Sequence, residues 1–313
     1  MKAITLKTPG GVEQLSYVEV EKPNIQDGEI LIKVKAISIN PVDVKSRAGH
    51  GVFNHTKIEE GIPLILGWDV SGIVEESKSP LFRAGDEVFG MVNFPGLGKT
   101  YAEYVAAPAN QVALKPENIS HEAAAAGSLV GLTAWQALVT NAHIQKGQKV
   151  LIHAAAGGVG HIAVQIAKYL GATVIGTSSA KNREFVLGLG ANGHIDYHNY
   201  DWTNHPREFD FVLDTIGGDN IDNSLEVTKE GGSIISIPSG LNESVVEKAK
   251  LKGVKGSFIL AHSDGENMKE IANLMKKGII KPHIFHVYPF TEMAQAHLQV
   301  ESGRTVGKVV VVL

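Results

Sequence analysis

The chain has 313 residues, of which 43% are hydrophobic and 20% charged, and its formal net charge is −4. These values are typical of a globular enzyme of about two domains, and they lack the basic footprint of a protein that binds nucleic acid. The absence of cysteine excludes disulfides, a thiolate nucleophile and thiolate metal ligands. Because neither a secretory signal nor an apolar stretch of membrane-spanning length is evident, we expect a cytoplasmic protein without a membrane partner.

The first part of the chain has the pattern of short strands separated by turns. Residues 1–6 and 14–20 are predicted to pair. Residues 29–39 form a longer strand, which ends at Asn40-Pro41 because proline cannot donate to a sheet and disfavours helix at the residue before it. Further strands are predicted at residues 67–74, 87–91, 101–107 and 111–114.

The composition changes at residue 120, where a strongly helical stretch over residues 121–139 begins, and from there strands and helices alternate. Strands are predicted at residues 150–152, 173–176, 194–197, 209–214, 233–237 and 254–260. Helices are predicted at residues 161–170, 181–189, 220–229 and 267–277. This alternation predicts a doubly wound α/β domain with a parallel sheet, whose ligand binds beyond the carboxyl ends of the strands.

The tail of the chain, from residue 283, contains a predicted helix at 292–301 and a strand at 308–313. The parallel sheet does not need these elements, so we expect them to complete the β-rich domain. The predicted organisation is a β-rich domain of residues 1–121 completed by 264–313, and an α/β domain of residues 122–263.

Residues 149–171 have the order strand, small-residue turn, helix. The first N–H groups of such a helix lack partners within it, so a pyrophosphate can dock on them where the side chains are small. The residues predicted to make this contact are Ala156, Gly157, Gly158 and Val159. Gly160 would let the helix pack closely on the strand. Ala155 replaces the first glycine of the GxGxxG pattern, so a glycine-rich turn without a ligand is the alternative.

The second strand of the α/β domain is followed by polar residues that indicate the cofactor. An acidic residue here would bind the ribose 2′-hydroxyl of NAD, but this stretch contains none. Two hydroxyls, of Ser178 and Ser179, and two cations, Lys181 and Arg183, suit a 2′-phosphate instead. The predicted cofactor is therefore NADPH. The alternative is that Ser179 caps the next helix and the cations face water.

With these segments placed, the sequence resembles the zinc-free branch of the medium-chain dehydrogenase/reductase superfamily, the quinone oxidoreductase (zeta-crystallin-like) family. The matching segments are INPVDVK (39–45), LGWDVSG (66–72), AGDEV (84–88), YAEY (101–104), GLTAW (131–135), the turn at 155–160 and GKVV (307–310). Their order and spacing over nearly the full length carry the resemblance. It implies an α/β fold made of a GroES-like β-rich catalytic domain plus a doubly wound Rossmann domain, and a homodimer.

The resemblance also implies site residues. The implied catalytic residues are Asn40, Asp43, Asp69 and Tyr101. The implied cofactor contacts, besides Lys181, are Asn40, Thr133, Tyr197, Pro238, Ser239, Phe258, Leu260 and Lys308. Asn40 would lie beside the nicotinamide, and Asp69 would orient Asn40 or backbone groups. Alternatives are a packed aromatic role for Tyr197, a hydroxyl of Thr133 bonded to its own helix, and a structural strand role for Tyr101.

No metal site is predicted. Zinc members of the superfamily have cysteine at the position of Asn40 and histidine at that of Trp68, and a catalytic zinc needs three protein ligands. The 13 histidines offer no better set. The closest pairs, none suitably spaced, are His50/His55, His194/His198 and His283/His286.

The absence of zinc also predicts the chemistry. An alcohol substrate needs an electrophile to stabilise the developing alkoxide, whereas a quinone or an α,β-unsaturated carbonyl is already electrophilic and needs mainly positioning. We therefore predict hydride transfer from NADPH to such a substrate, with the proton supplied by water or an unassigned group. Tyr101 and Tyr104 are candidate donors, and a structural strand role is the alternative for both. The loops 49–54 and 94–99 are predicted to shape the substrate pocket. The alternative is an NADPH-binding protein with a structural or regulatory role and little turnover.

Strands 232–237 and 254–260 are both apolar. Exposed apolar edges seldom stay unpaired. We therefore predict that these two segments are edge strands that pair across the two-fold axis of a dimer.

Overall fold

A computed structural model describes residues 1–51 and 64–313. Residues 52–54 of the predicted substrate loop, and His55, lie outside the described residues. The chain forms two compact units: unit 1 comprises residues 1–132 and 261–313, and unit 2 comprises residues 133–260. The predicted domain limits, at residues 121 and 263, stay a prediction about the functional domains.

Strands and helices follow one another in an order close to the predicted one. The strands of the described residues are β1 (Lys2–Leu6), β2 (Leu15–Glu19), β3 (Glu29–Ile39), β4 (Leu64–Ile65), β5 (Asp69–Ser77), β6 (Glu87–Met91), β7 (Tyr104–Pro108), β8 (Val112–Leu114), β9 (Lys149–Ile152), β10 (Thr173–Ser178), β11 (Gly193–Asp196), β12 (Phe209–Asp214), β13 (Thr228–Ser236), β14 (Lys255–Phe258), β15 (Ile284–Pro289) and β16 (Lys308–Val312). The α-helices are α1 (Pro41–Arg47), α2 (His121–Trp135), α3 (Gly158–Tyr169), α4 (Arg183–Gly188), α5 (Asn220–Val227), α6 (Val245–Leu251), α7 (Gly265–Lys276) and α8 (Met293–Glu301).

Unit 1 is built on two β-sheets. One has the order β2-β1-β4, and the other runs β15-β16-β3-β5-β6-β8, with β7 also paired to β3. The predicted pairing of the first two strands is confirmed, and β16 pairs antiparallel with β3, with Val309 opposite Ile39. Ile30 and Ile32 of β3 are fully buried in the core. The C-terminal strand therefore shares a sheet with the N-terminal part of the chain.

Unit 2 is a parallel sheet of six strands in the order β11-β10-β9-β12-β13-β14. Val150, Leu151 and Ile152 are consecutive residues of β9, so their side chains alternate between the two faces of the sheet. All three are fully buried, as expected for a strand covered on both faces. The strand order reverses between β9 and β12, where doubly wound folds bind their ligands. The predicted Rossmann-type sheet is confirmed.

Two short helices, α1 and α6, were not expected, and α3 begins earlier than expected. Helix α1 starts at Pro41, because proline fits the first helical position, where its missing N–H is not needed. From the sequence alone, Asn40-Pro41 is expected only to end a strand. Helix α3 starts at Gly158, three positions before the predicted start, because Gly157 already acts as its N-cap residue.

The prediction that residues 232–237 form an edge strand is wrong. Strand β13 lies between β12 and β14, and Ser233 is in register with Lys255 of β14. Its backbone groups are therefore paired on both sides. The sheet edge on this side is β14.

Helix α2 continues into a π-helical turn, Gln136–Asn141, and together they form an apolar stretch of 21 residues. This length and apolarity would suffice to cross a membrane, which the composition-based expectation overlooked. However, 78% of its most apolar window is buried inside the protein. The stretch is therefore accounted for as a core helix.

Candidate active site

The turn between β9 and α3 comprises residues 153–157, which are small from Ala154 to Gly157. A Cβ atom on Gly160 would lie 2.2 Å from the carbonyl oxygen of Ala154, so only glycine lets α3 approach the strand this closely. On Gly157 a Cβ atom would lie 3.2 Å from the same oxygen, a tight contact that a small shift relieves. Packing therefore requires glycine at position 160. At Gly157 the contact is tight but tolerable, and the absence of a side chain there also leaves room for close approach of a ligand.

The first turn of α3 is open enough to meet a ligand. Gly157, Gly158 and Val159 are half-buried, whereas Ala156 is buried. The turn follows the carboxyl end of β9, at the ligand-binding edge of the sheet. The positive end of the helix dipole and the unpaired first N–H groups suit a pyrophosphate. These predicted residues are thus brought together in a geometry that fits a dinucleotide.

Ser178, at the end of β10, is buried, and its hydroxyl is already engaged. It donates to the carbonyl of Ser179 at 3.1 Å and lies 2.7 Å from Nε2 of His194 on the neighbouring strand. Because the serine proton goes to the carbonyl, Nε2 of His194 carries a hydrogen and donates to the serine. Burial lowers the pKa of His194, against the charge of Asp196. The hydroxyl of Ser178 therefore already has two protein partners, and its contact with a phosphate stays a prediction.

The predicted 2′-phosphate residues lie after two adjacent strands. Lys181 is exposed and has no ion-pair partner among the described residues, whereas Arg183 pairs with Glu184 at 2.8 Å. Tyr197 follows β11, is 48% exposed and stacks on His198 at 4.1 Å. Strands β10 and β11 are parallel neighbours. Their carboxyl ends therefore carry this group on one edge of the sheet.

The predicted nicotinamide contacts of unit 2 lie along the same edge. Pro238 is half-buried and Ser239 exposed just after β13, and Phe258 and Leu260 are exposed at the end of β14 and beyond. Thr133 is different, because it is buried in helix α2. Its placement suits the helix-interior alternative.

In unit 1, Asn40 is the centre of a fully buried polar cluster. Its Nδ2 donates to Asp69 at 2.8 Å, and its Oδ1 accepts from the ammonium of Lys308. The other carboxylate oxygen of Asp69 accepts the backbone N–H of Leu129 at 2.7 Å. Both contacts expected of Asp69, to Asn40 and to backbone, are present. The ammonium of Lys308, predicted to contact the cofactor, is bound inside unit 1.

Burial shifts the pKa values of this cluster. Asp43 accepts the backbone N–H of Asn40 at 2.7 Å through Oδ2, but its Oδ1 has no hydrogen-bond partner. Burial raises the pKa of Asp43 to about 7, an effect that the Asn40 N–H opposes and the charge of Asp69 reinforces. Burial raises the pKa of Asp69 to about 6, against the charge of Lys308. Burial also lowers the pKa of Lys308.

Tyr101 is fully buried, and its hydroxyl lies 3.0 Å from Nε2 of His297. Arg47 approaches Nδ1 of the same ring at 3.5 Å and pairs with Glu301 at 3.2 Å. Because arginine can only donate, Nδ1 accepts and Nε2–H donates to the tyrosine oxygen. Burial lowers the pKa of His297 to about 3, so the ring is neutral. This placement favours the structural alternative for Tyr101.

Several of these groups were missed by the sequence analysis. His297 and Arg47 belong to helices far apart in the sequence, and no spacing signal connects them. His194 was considered only as a metal ligand, although its place on a strand next to the predicted phosphate residues is a usable signal.

Among residues 1–51 and 64–313, no three His, Asp or Glu side chains are arranged to hold a metal ion. Unit 2 combines a parallel sheet with a turn suited to a dinucleotide, and unit 1 is β-rich and contains the buried cluster of Asn40, Asp69 and Lys308. These features define a Rossmann-type α/β protein with a second, β-rich unit.

Known proteins agree with this class. Residues 26–117 match the alcohol dehydrogenase GroES-like domain, and residues 189–311 match the zinc-binding dehydrogenase family model. The chain is 33% identical to the 2-methylene-furan-3-one reductase of Solanum lycopersicum, over 99% of this chain and 79% of that protein. The structure matches the quinone oxidoreductase from Coxiella burnetii, with a TM-score of 0.94, 37% identity and coverage of 100% and 99%.

A third similarity is to the Escherichia coli quinone oxidoreductase complexed with NADPH, with a TM-score of 0.86, 30% identity and full coverage of both chains. The chain belongs to the quinone oxidoreductase family, the zinc-free branch of the medium-chain dehydrogenase/reductase superfamily.

Proposed function

We propose that the protein is an NADPH-dependent oxidoreductase that reduces a quinone or an α,β-unsaturated carbonyl. The observation that carries the proposal is the turn before α3, where Gly157 and Gly158 leave the backbone bare at the start of the helix. Supporting it are the names of the similar proteins, a furanone reductase and two quinone oxidoreductases, one of them solved with NADPH.

NADPH supplies the hydride in this reaction. The backbone of Gly157 and Gly158 binds the pyrophosphate, since no side chain blocks it. Ser179, Lys181 and Tyr197 hold the 2′-phosphate at the ends of two adjacent strands, because a dianion is best bound by a cation together with neutral donors. The contacts predicted for the nicotinamide stay predictions.

The substrate is one that is electrophilic by itself. The chain contains no cysteine to act as a zinc ligand, and Asn40 offers an amide whose oxygen and nitrogen are both fixed by neighbours. An amide fixed in this way can orient neighbouring groups, but it cannot polarise a substrate oxygen as a Lewis acid does. Positioning of the acceptor is therefore the contribution left to the protein.

The test measures the oxidation of NADPH, by its absorbance, with a panel of substrates. A quinone, an enal and an enone should each oxidise NADPH, while a saturated ketone of similar size should not. NADH should be a poorer donor. Calorimetry with NADPH alone separates the failures: no binding contradicts the proposal altogether, and tight binding without turnover on any acceptor favours an NADPH-binding protein with a structural or regulatory role.

We also propose a homodimer formed through β14. Among residues 1–51 and 64–313, β14 pairs with β13 alone. Phe258, at the end of β14, and Leu260, just after it, are 57% and 52% exposed. Light scattering at micromolar concentration tests it, and a monomer would contradict it. The cytoplasmic location stays a prediction, since some similar proteins carry mitochondrial or chloroplastic names.

A further inference from the structure

Ala154 has an unfavourable backbone conformation near the start of the turn at residues 153–157, called the cofactor turn below. Its φ angle is +45°, in the left-handed region that L-residues other than glycine adopt at a cost. Its carbonyl accepts the N–H of Gly157 at 2.8 Å and is the oxygen against which Gly160 packs. The conformation of Ala154 therefore sets where the first turn of α3 begins.

Thr177, near the end of β10, holds Ala154 in this conformation. Its hydroxyl oxygen accepts the backbone N–H of Ala154 at 3.2 Å, and its carbonyl accepts the N–H of Ala155 at 2.8 Å. The side chain is 1% exposed. Bulk solvent therefore does not reach the hydroxyl, and strand β10 is hydrogen-bonded directly to the turn that follows β9.

The proton of Thr177 is directed by a buried histidine. Nδ1 of His153 lies 3.2 Å from the threonine hydroxyl, and Nε2 lies 3.1 Å from the hydroxyl of Ser224 on α5. Ser224 gives its own proton to the carbonyl of Asn220 at 2.8 Å. Nε2 of His153 must therefore carry a hydrogen, which leaves Nδ1 to accept from Thr177.

This chain of hydrogen bonds is satisfied in one direction only. It runs from the Ala154 N–H through Thr177 and His153 to Ser224, and each hydroxyl both accepts and donates. A hydrogen on Nδ1 of His153 would point at the hydroxyl hydrogen of Thr177, and no hydrogen bond would form between them. Burial lowers the pKa of His153 to about 4, against the charge of Asp214, so the ring is neutral near pH 7.

We propose that Thr177 is a positioning residue for the cofactor: oriented by His153 and Ser224, it keeps Ala154 left-handed and thereby fixes the pyrophosphate-binding turn without touching the ligand. The proposal rests on the proposed function, since it assumes that this turn binds NADPH. It predicts that removing one buried hydroxyl weakens cofactor binding and leaves turnover at saturating cofactor intact.

The test compares Thr177→Val with Thr177→Ser. Valine keeps the shape but leaves the Ala154 N–H and Nδ1 of His153 without a partner, so the Kd and KM for NADPH should rise about tenfold, with kcat within about twofold. Serine keeps the hydroxyl and should restore wild-type values. Unchanged affinity in the valine variant would overturn the proposal.

A matched control is Thr228→Val. Thr228 is also fully buried, and its hydroxyl donates to the carbonyl of Ser224 at 2.6 Å. However, Thr228 is the first residue of β13, at the amino ends of the parallel strands, whereas Thr177 lies near the carboxyl end of β10. The control variant should lower Tm about as much as Thr177→Val while NADPH affinity stays unchanged. If it weakens binding equally, the effect is general destabilisation and the positioning role is wrong.

Two further outcomes are separable. If Thr177→Val does not fold, Ser224→Ala decides the question: freeing Nε2 of His153 should raise the Kd for NADPH severalfold, and no change would overturn the proposal. If the wild-type protein itself fails to bind NADPH, the proposed function fails first, which calorimetry on the unmodified protein reveals before any variant is made.

Discussion

The ammonium of Lys308 donates to the side-chain amide of Asn40, although 268 positions separate the two residues in the sequence. The antiparallel pairing of β16 with β3 makes this contact possible, because it sets the start of one strand against the end of the other. The result is one buried cation among two buried carboxyl groups, Asp43 and Asp69. The amide between them is thereby fixed in orientation.

Replacing Lys308 by methionine should destabilise the protein strongly. The variant removes the buried cation whose charge favours ionised Asp69 and leaves the side-chain oxygen of Asn40 without this donor, and removing one partner from a buried charged group typically costs about 3–5 kcal/mol. Adding Asp69→Asn should restore part of the loss, because it removes a charge that has lost its partner. Thermal unfolding measures both. Lys248→Met breaks an exposed ion pair with Asp222 and is the control, with an expected cost below about 1 kcal/mol. Equal costs for the two lysines would contradict the buried pairing.

Replacing Asp43 by asparagine should change how stability depends on pH. Burial raises the pKa of Asp43 from 3.8 to about 7, so the folded wild-type protein keeps a proton there that the unfolded chain releases. Wild-type stability should therefore fall as pH rises from about 4 through 7. The asparagine variant lacks this proton, and its Tm relative to wild type should rise between pH 5 and pH 8 by several degrees. A difference in Tm that stays constant with pH would show that the carboxyl group titrates alike in both states.

Gly157 of the cofactor turn and Gly160 of α3 should respond differently to alanine. In Gly157→Ala the methyl group stands 3.2 Å from the Ala154 oxygen, so the fold should survive while NADPH affinity falls about tenfold or more. In Gly160→Ala the methyl group would lie 2.2 Å from the same oxygen, so stability should fall by about 1–3 kcal/mol. Calorimetry and thermal unfolding are the paired measurements. A Gly157→Ala protein with wild-type affinity would mean that no ligand approaches there.

Lys181→Ala should reduce the preference for NADPH over NADH. A charge-assisted hydrogen bond to a phosphate is worth roughly 1.5–3 kcal/mol, so the ratio of kcat/KM values should fall about tenfold or more. Arg183→Ala should have a smaller effect, because this guanidinium is already paired with Glu184. Lys248→Ala, on α6 of the same unit, is the control and should leave the ratio unchanged. Full preference in the Lys181→Ala, Arg183→Ala double variant would refute the phosphate assignment.

The sequence alone predicted the parts of this protein that depend on local patterns. The alternation of apolar strands and helices predicted the parallel sheet, and the small residues from Ala155 to Gly160 predicted the turn before α3. Both follow from rules that act within a few residues, namely side-chain periodicity and the need for bare backbone. Helix α1 was missed because Pro41 was interpreted as a strand terminator, whereas proline is also favoured at the first position of a helix.

Only the tertiary structure decided which buried polar groups are partners. The contact of Lys308 with Asn40 and the link from Thr177 to His153 each join separate elements, and nothing in the spacing of these residues indicates them. A polar group removed from water must find a partner wherever the fold supplies one, and strand register determines which group that is. Local sequence thus predicted where a phosphate could bind, whereas long-range pairing determined which buried groups contact the turn before α3 and the amide of Asn40.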